Sequence, residues 1–171
     1  MKIIDIIKSD KPTRSFEVFP PKTSQNFESV RMAVEEIAAL KPDFMSVTYG
    51  AGGGTSDFTA DIAEDIQKNF GVPALAHMTC VSSSHAKVRS VTDTLKDKGI
   101  ANVLALRGDI PQGFDLASAD YRYASELIRE IREGGDFCIG GACYPEAHPE
   151  SEDSFADLRY LKEKAYSGCE F

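Results

Sequence analysis

Five polar clusters interrupt apolar runs along the chain, and their side chains are of the types that move protons and hold phosphates. Glu17 lies in the run 15–20, flanked by Phe16 and Phe19. Thr48 and Tyr49 close the run 43–50, and His77 and Thr79 lie within 74–81. Arg107, Gly108 and Asp109 close 102–109, and YPEAHPE (Tyr144–Glu150) sets Tyr144, Glu146, His148 and Glu150 close together. A carboxyl set among aromatic rings is suited to giving up a proton as a general acid. An arginine or the N-terminus of a helix can hold a phosphate. Each residue also fits a plainer role. Glu17 suits a solvent-facing position on an edge strand, and Arg107 with Asp109 suits a structural ion pair. His77 suits a satisfied core histidine, and His148 a turn. Gly52, Gly53 and Gly54 fit either a turn or a close-approach loop opening the helix that follows.

The elements between the clusters decide whether they meet. Apolar spacing predicts strands over 15–20, 43–50, 74–81, 102–109 and 137–145, and helices over 24–40, 56–70, 84–98, 118–133 and 152–167. A short helical start spans Ile3–Ile7. Ser24 is the expected cap of the helix over 24–40, and Phe155, Leu158, Leu161 and Ala165 are the expected inward side of the helix over 152–167. Strict alternation of strand and helix predicts parallel strands joined by crossovers. The repeat of about 30 residues is that of a (β/α)8 barrel, which needs roughly 200–250 residues. The fold class is therefore α/β, of the (β/α)8 TIM-barrel type truncated to about five βα units, with Glu170 and Phe171 opening a sixth strand. Residues 1–171 read as one barrel domain, incomplete at its C-terminus.

In such folds ligands bind at the carboxyl ends of the strands, where all five clusters fall. Side chains alternate between two faces along a strand. Glu17 then shares a face with Ser15 and Phe19, Arg107 and Asp109 share one with Ala105, and Tyr144 shares one with Ala142, Gly140 and Cys138. These faces are expected to point into the barrel, their small residues leaving room for a ligand.

Composition narrows the function classes. The 171 residues include 19 basic and 27 acidic side chains, for a net charge of -8. An acidic surface is a poor match for nucleic acid or for an anionic membrane. Apolar content of 42% excludes a disordered chain. No apolar run approaches the roughly 18 residues of a membrane span, and no signal peptide is visible. Cys80, Cys138, Cys143 and Cys169 form no CxxC pair, and Cys80, Cys138 and Cys143 lie in apolar runs, which suits the reduced thiols of a cytoplasmic protein. A metal-dependent hydrolase built on His77, Asp109, Glu146 and His148 is disfavoured by the lack of an HxH pair in the first strand.

Five segments carry a resemblance. FEVFPPKT (Phe16–Thr23), SVTYGAGG (Ser46–Gly53), AHMTC (Ala76–Cys80), ALRGD (Ala105–Asp109) and YPEAHPE (Tyr144–Glu150) match the methylenetetrahydrofolate reductase family in order and separation, from about Arg14 onward. The resemblance implies an FAD-binding barrel that reduces 5,10-methylenetetrahydrofolate to 5-methyltetrahydrofolate with NADH or NADPH, in one-carbon and methionine metabolism. It implies that Glu17 is the general acid, protonating a folate nitrogen as the ring opens to an iminium. It implies that Asp109 holds the pterin and tunes the flavin. Thr48 is implied at the flavin and nicotinamide contact. FAD contacts are implied for Tyr49, Ala51, His77, Arg107, Gly108 and Asp109. Further along, they are implied for Tyr123, Ala124, Tyr144, His148, Asp157 and Lys164, with Arg107 and Lys164 as phosphate partners. The chain departs from family members at Tyr160, where some carry Asn, and at Glu163, where some carry a basic residue. Family residues that complete the folate and nicotinamide sites lie on later strands. The alternative is thus a non-catalytic flavin-binding or assembly fragment. The partners implied are the folate substrate and a homo-oligomer or complementing chain that covers the open sheet, with no nucleic acid and no membrane.

Overall fold

The apolar runs assemble into one parallel sheet in the order β1-β2-β3-β4-β5, so neighbours in sequence are neighbours in space. The structure is a computed structural model that describes residues 1–21, 26–50 and 56–171. The strands are β1 (Ser15–Val18), β2 (Phe44–Val47), β3 (Ala74–Thr79), β4 (Asn102–Leu106) and β5 (Cys138–Gly141). Helices α1 (Ile3–Ile7), α2 (Phe27–Ala38), α3 (Ser56–Phe70), α4 (His85–Asp97), α5 (Ala124–Gly134) and α6 (Ser154–Tyr166) alternate with them. A doubly wound sheet would reverse its strand order at a switch point. This one never reverses, which is the winding of a (β/α)8 barrel, and the α/β barrel-type fold is as expected. Glu170 and Phe171 begin to extend the sheet. The Glu170 N–H donates to the Ile139 carbonyl at 2.7 Å, and the Gly141 N–H donates to the Phe171 carbonyl at 2.9 Å.

The two faces of the sheet have different fates. Val18, Met45, Val47, Ala76, Met78, Val103 and Ile139 pack against Val34, Ile66, Val88, Leu95, Leu127 and Ile131 of the helices. Each fully buried Leu or Ile in that layer contributes about 1.5–3 kcal/mol. The opposite face is the inner, and so concave, face of a barrel-type winding, and among the described residues it carries no helix beyond α1. Its amino end is closed by α1, whose Ile3, Ile4 and Ile6 pack on Phe44, Leu75, Leu104 and Cys138. Asn102, fully buried, fastens this plug. Its Oδ1 accepts the Ile3 N–H at 2.8 Å, and its Nδ2 donates to the carbonyls of Ala74 and Met1.

Several expectations need correction. First, every strand is shorter than its apolar run, β2, β4 and β5 more so than β1 and β3, chiefly because the rim residues leave the sheet. At β4 the turn is made by Gly108, with φ of +83°. Second, the register places Ala105 beside Met78, on the helix-packed face, and Leu104 and Leu106 on the concave one. Arg107 and Asp109 therefore do not continue an inward row of small residues. Third, Phe155, Leu158, Leu161 and Ala165 of α6 face outward, with Phe155 78% and Leu158 60% exposed. The helix turns small residues inward instead, burying Ala156 on its first turn and Ser167 just past its end. A Cβ on Gly141 would come within 2.8 Å of the Lys164 stem and of Cys169 Sγ, so only a slim face fits there. Helix α5 also starts at Ala124 rather than Ser118, because Glu126 accepts the N–H groups of Tyr123 and Arg122 and restarts the helix. Ser84 caps α4 through the Lys87 N–H, as sequence suggests for a helix start at that point. The cap expected at Ser24 lies outside the described residues.

The cysteines are free: Cys80 and Cys138 are buried, Cys169 is half-buried and Cys143 is exposed, contrary to its apolar context in sequence. Burial pushes the Cys80 thiol up to about 12, which makes it inert. Among the described residues no helix is long and apolar enough to cross a membrane.

One polar hub ties α4 to α5. Glu130 accepts from the hydroxyl of fully buried Tyr121, from Arg89 Nε at 2.9 Å, and meets His85 Nδ1 at 2.6 Å. Burial alone would raise the Glu130 carboxyl, but the three partners outweigh it and hold it below its ordinary value. Replacing Glu130 by Ala orphans the Tyr121 hydroxyl, a loss of about 1–3 kcal/mol. The urea midpoint of Glu130→Ala is expected to fall accordingly, and Glu130→Gln should recover part of the loss. Because the folded-state value is depressed, the hub stabilises fully above the ordinary carboxylate range, and its contribution fades as pH falls through that range.

Candidate active site at the carboxyl ends of the strands

The register builds the centre of the site. Glu17 stands opposite Ser46, Ser46 opposite Leu75, and His77 two residues further along β3, so all three polar side chains share the concave face. Ser46 Oγ lies 3.4 Å from Glu17 Oε2, and His77 Nε2 lies 3.5 Å from the same oxygen. The Glu17 side chain is 47% exposed, while that of His77 is 9% exposed. Burial lowers the His77 imidazole from its ordinary value, and the nearby Glu17 charge pulls it partly back. Both plain roles offered for these residues are thus partly realised, Glu17 on an edge strand and His77 near the core, and the two still meet. Ser46 is a member that sequence reasoning missed. Its signal was the parity it shares with Thr48 in the strand.

The rim around this centre is made of turns. Thr48 is half-buried. Its N–H donates to the Val18 carbonyl at 3.0 Å, and its carbonyl accepts the Thr59 hydroxyl at 2.9 Å. Tyr49 is half-buried beside it. Gly108 packs so closely on Thr79 that a Cβ would lie 3.0 Å from the threonine Cβ, and its positive φ adds a second reason for glycine. Asp109, next to it, is exposed.

The cations hold internal partners. Arg107 does not pair with Asp109. Its Nη1 and Nη2 bind both carboxylate oxygens of Glu150, at 2.6 and 2.9 Å. This fork holds the Glu150 carboxyl below its ordinary value. The same loop places Tyr144 edge-on to His148, with centroids 4.9 Å apart, and His148 Nδ1 accepts the Glu150 N–H at 3.1 Å. Lys164 donates to the Ala142 carbonyl.

A third group sits between α5 and α6. Tyr123, just before Ala124 opens α5, lies nearly parallel to Tyr160 with centroids 6.5 Å apart, and both rings are more than half exposed. Asp157 is half-buried on α6. Ala51 and the run Gly52–Gly54 lie outside the described residues. The structure therefore gathers Glu17 and His77 directly and joins Arg107, Tyr144 and His148 through Glu150. The Tyr123 carbonyl accepts from Cys80 Sγ at 3.8 Å, and the Cys80 N–H donates to the Arg107 carbonyl, so Tyr123 backs onto the rim, while Asp157 lies on α6. Among the described residues no three His, Cys, Asp or Glu side chains converge as a metal site, so His77, Asp109, Glu146 and His148 do not form the alternative centre.

The family model for methylenetetrahydrofolate reductase matches residues 2–171. The chain is 41% identical over 155 residues to a 5,10-methylenetetrahydrofolate reductase of Pectobacterium carotovorum subsp. carotovorum, covering 91% of this chain and 51% of that protein. It is 39% identical to the protein of that name in Escherichia coli (strain K12), with the same coverage. It is 37% identical to methylenetetrahydrofolate reductase (NADH) 1 of Arabidopsis thaliana, covering 99% of this chain and 32% of that protein. The chain thus spans about half the length of the bacterial relatives it matches. Among solved structures, 2,3-dimethylmalate lyase superposes with a TM-score of 0.64 at 12% identity, over 98% of this chain and 60% of that one. That likeness concerns the fold alone.

The lowered His77 value has a stability consequence. The unfolded chain binds a proton at this imidazole more readily than the folded one, so stability rises with pH across the histidine range. The urea midpoint is expected to drop as pH falls from about 7.5 to about 5.5, through the ordinary histidine value. In His77→Gln the drop should be smaller, and an equal drop in both proteins would assign the effect to other groups.

Proposed function

The chain belongs to the methylenetetrahydrofolate reductase family, and on that premise we propose that it carries the flavin site and the general acid of an oxidoreductase that reduces 5,10-methylenetetrahydrofolate with NADH or NADPH. The observation that carries the proposal is Glu17, a half-exposed carboxyl on a concave face, addressed at one oxygen by Ser46 and His77. A carboxyl so placed can reach a ligand on its open side while the other side stays engaged.

FAD is the group the family implies, and the residues present suit it. Arg107 and Lys164 supply positive charge for its phosphates within an acidic protein, where local charge outweighs a screened net charge. The Arg107–Glu150 fork is exposed on its glutamate side, so sharing the guanidinium with a phosphate costs little. Gly108 brings the rim close to Thr79, and Thr48, Tyr49 and His77 offer polar edges beside it. Tyr123, Ala124, Tyr144, His148 and Asp157, with Ala51, complete the proposed cofactor contacts. When bound, FAD supplies hydride transfer from the nicotinamide donor to the folate. Glu17 delivers a proton to the folate nitrogen as its ring opens. Asp109, exposed at the rim, orients the pterin and places a negative charge that opposes charge build-up on a reduced flavin. NADH appears in the name of the Arabidopsis relative and is the donor to test first.

A second reading rests on the uncovered surfaces. Among the described residues the outer edge of β1 has no strand partner, and α6 leaves Phe155 and Leu158 bare. Such an edge and such a face favour self-association or a complementing chain. On this reading the 171 residues hold flavin or serve assembly without turnover. The cytoplasmic location suggested by free cysteines belongs to the same proposal.

Titration of the purified chain with FAD separates the readings. A yellow, stoichiometric complex that bleaches anaerobically with NADH supports the first, and a complex that does not bleach supports the second. Arg107→Ala and Lys164→Ala are each expected to weaken FAD about tenfold, a loss of roughly 1.4 kcal/mol. Asp109→Asn is expected to raise the potential of bound flavin, and an unchanged or lower potential would remove the tuning role from Asp109.

A further inference from the structure

The two neighbours of Glu17 do more than fill space beside it. Glu17, Ser46 and His77 come from three consecutive parallel strands and share one face: Glu17 pairs with Ser46, and His77 lies two residues beyond Leu75, the partner of Ser46. Both contacts fall on Oε2, while among the described residues no hydrogen bond reaches Oε1. Ser46 is itself buried, and His77 is buried behind the carboxyl. The separations of 3.4 and 3.5 Å are long, as contacts of catalytic groups commonly are before a ligand closes the site.

We infer that Ser46 and His77 are positioning residues for Glu17, which hold its Oε2 as an acceptor and so confine the transferable proton to Oε1. An oxygen that receives an O–H from Ser46 and an N–H from His77 Nε2 has no lone pair left facing them for a proton of its own. The acid proton must then sit on Oε1, on the open side of the face. When Oε1–H gives its proton to a basic atom of a ligand, the carboxylate that remains keeps both donors, now stronger because the acceptor is charged. Glu17 regains its proton from solvent at Oε1, so proton count and charge balance over the cycle. Burial lowers the His77 imidazole, which favours its neutral, N–H-donating form, and an ionised Glu17 opposes that shift. The inference rests on the proposed acid role of Glu17 for its purpose, but not for its geometry.

The test reads His77 directly. The chain has three histidines, His77, His85 and His148, so ring nitrogen NMR signals can be assigned by single replacements. The expected result is that neutral His77 carries its proton on Nε2. Glu17→Gln should lower the His77 midpoint further, through the loss of a nearby carboxylate charge. Ser46→Ala should produce part of that shift, and Ser46→Thr, which restores the hydroxyl, should reverse it. A bare Nε2 would mean that Glu17 donates to the histidine, and a midpoint unmoved by Glu17→Gln would mean that the two do not interact. Either result overturns the inference. Glu17→Gln is nearly isosteric at a half-exposed site, so the comparison does not depend on a variant that misfolds. Adding FAD to the same samples separates the two claims. A colourless protein with the expected His77 behaviour defeats the flavin proposal and leaves the positioning intact.

Discussion

In a parallel sheet wound in chain order, one register governs which side chains meet. Side chains alternate with a period of two, so a slip of one residue in β2 would turn Ser46 toward the helices and bring Met45 to the concave face. The helix-packed face prevents that slip. Met45, Val47, Ala76, Met78, Val103 and Ile139 must all remain in the same apolar layer, and burying one serine among them would cost more than a hydrogen bond returns. The Glu17, Ser46 and His77 cluster is therefore a by-product of core packing on the far side of the sheet. The chemistry sits where the hydrophobic layer dictates.

Among the described residues, little covers the concave face around that chemistry. Helix α1 takes the amino end, fastened by buried Asn102, and Phe171 lies over Gly140 further across the sheet. A Cβ on Gly140 would stand 2.6 Å from the Phe171 ring, so glycine is needed for that contact. Beyond the plug, Glu17 and Ser46 share one rung of the sheet, and His77 and Leu104 pair two residues further along. Around them the chain distributes charge in small closed sets rather than in a field. Glu130 is satisfied by three neighbours, and Glu150 by a guanidinium fork. This is how an acidic protein can present cations at its rim. Each is held by a partner that is itself partly exposed and open to exchange.

Periodicity and residue type alone established the βα alternation, the parallel sheet, the (β/α)8 winding and the carboxyl-end location of the polar clusters, since apolar spacing is a local property and adjacency follows from it. The start of α3 at Ser56 and the turn after α4 at Gly99 were legible for the same reason. The motifs around Glu17, His77 and Arg107 were legible as candidates and, through resemblance, as members of one family. What only the tertiary structure decided was which of them touch. Sequence parity placed Ala105 inward, and the cross-strand register reversed it. Arg107 bound Glu150, which is 43 residues away, instead of Asp109 beside it. Ser46 joined Glu17 across two strands, and the apolar side of α6 faced solvent because β5 left space for only a slim helix face. Each of these outcomes depends on distances between segments far apart in the chain, which no local pattern of residues encodes.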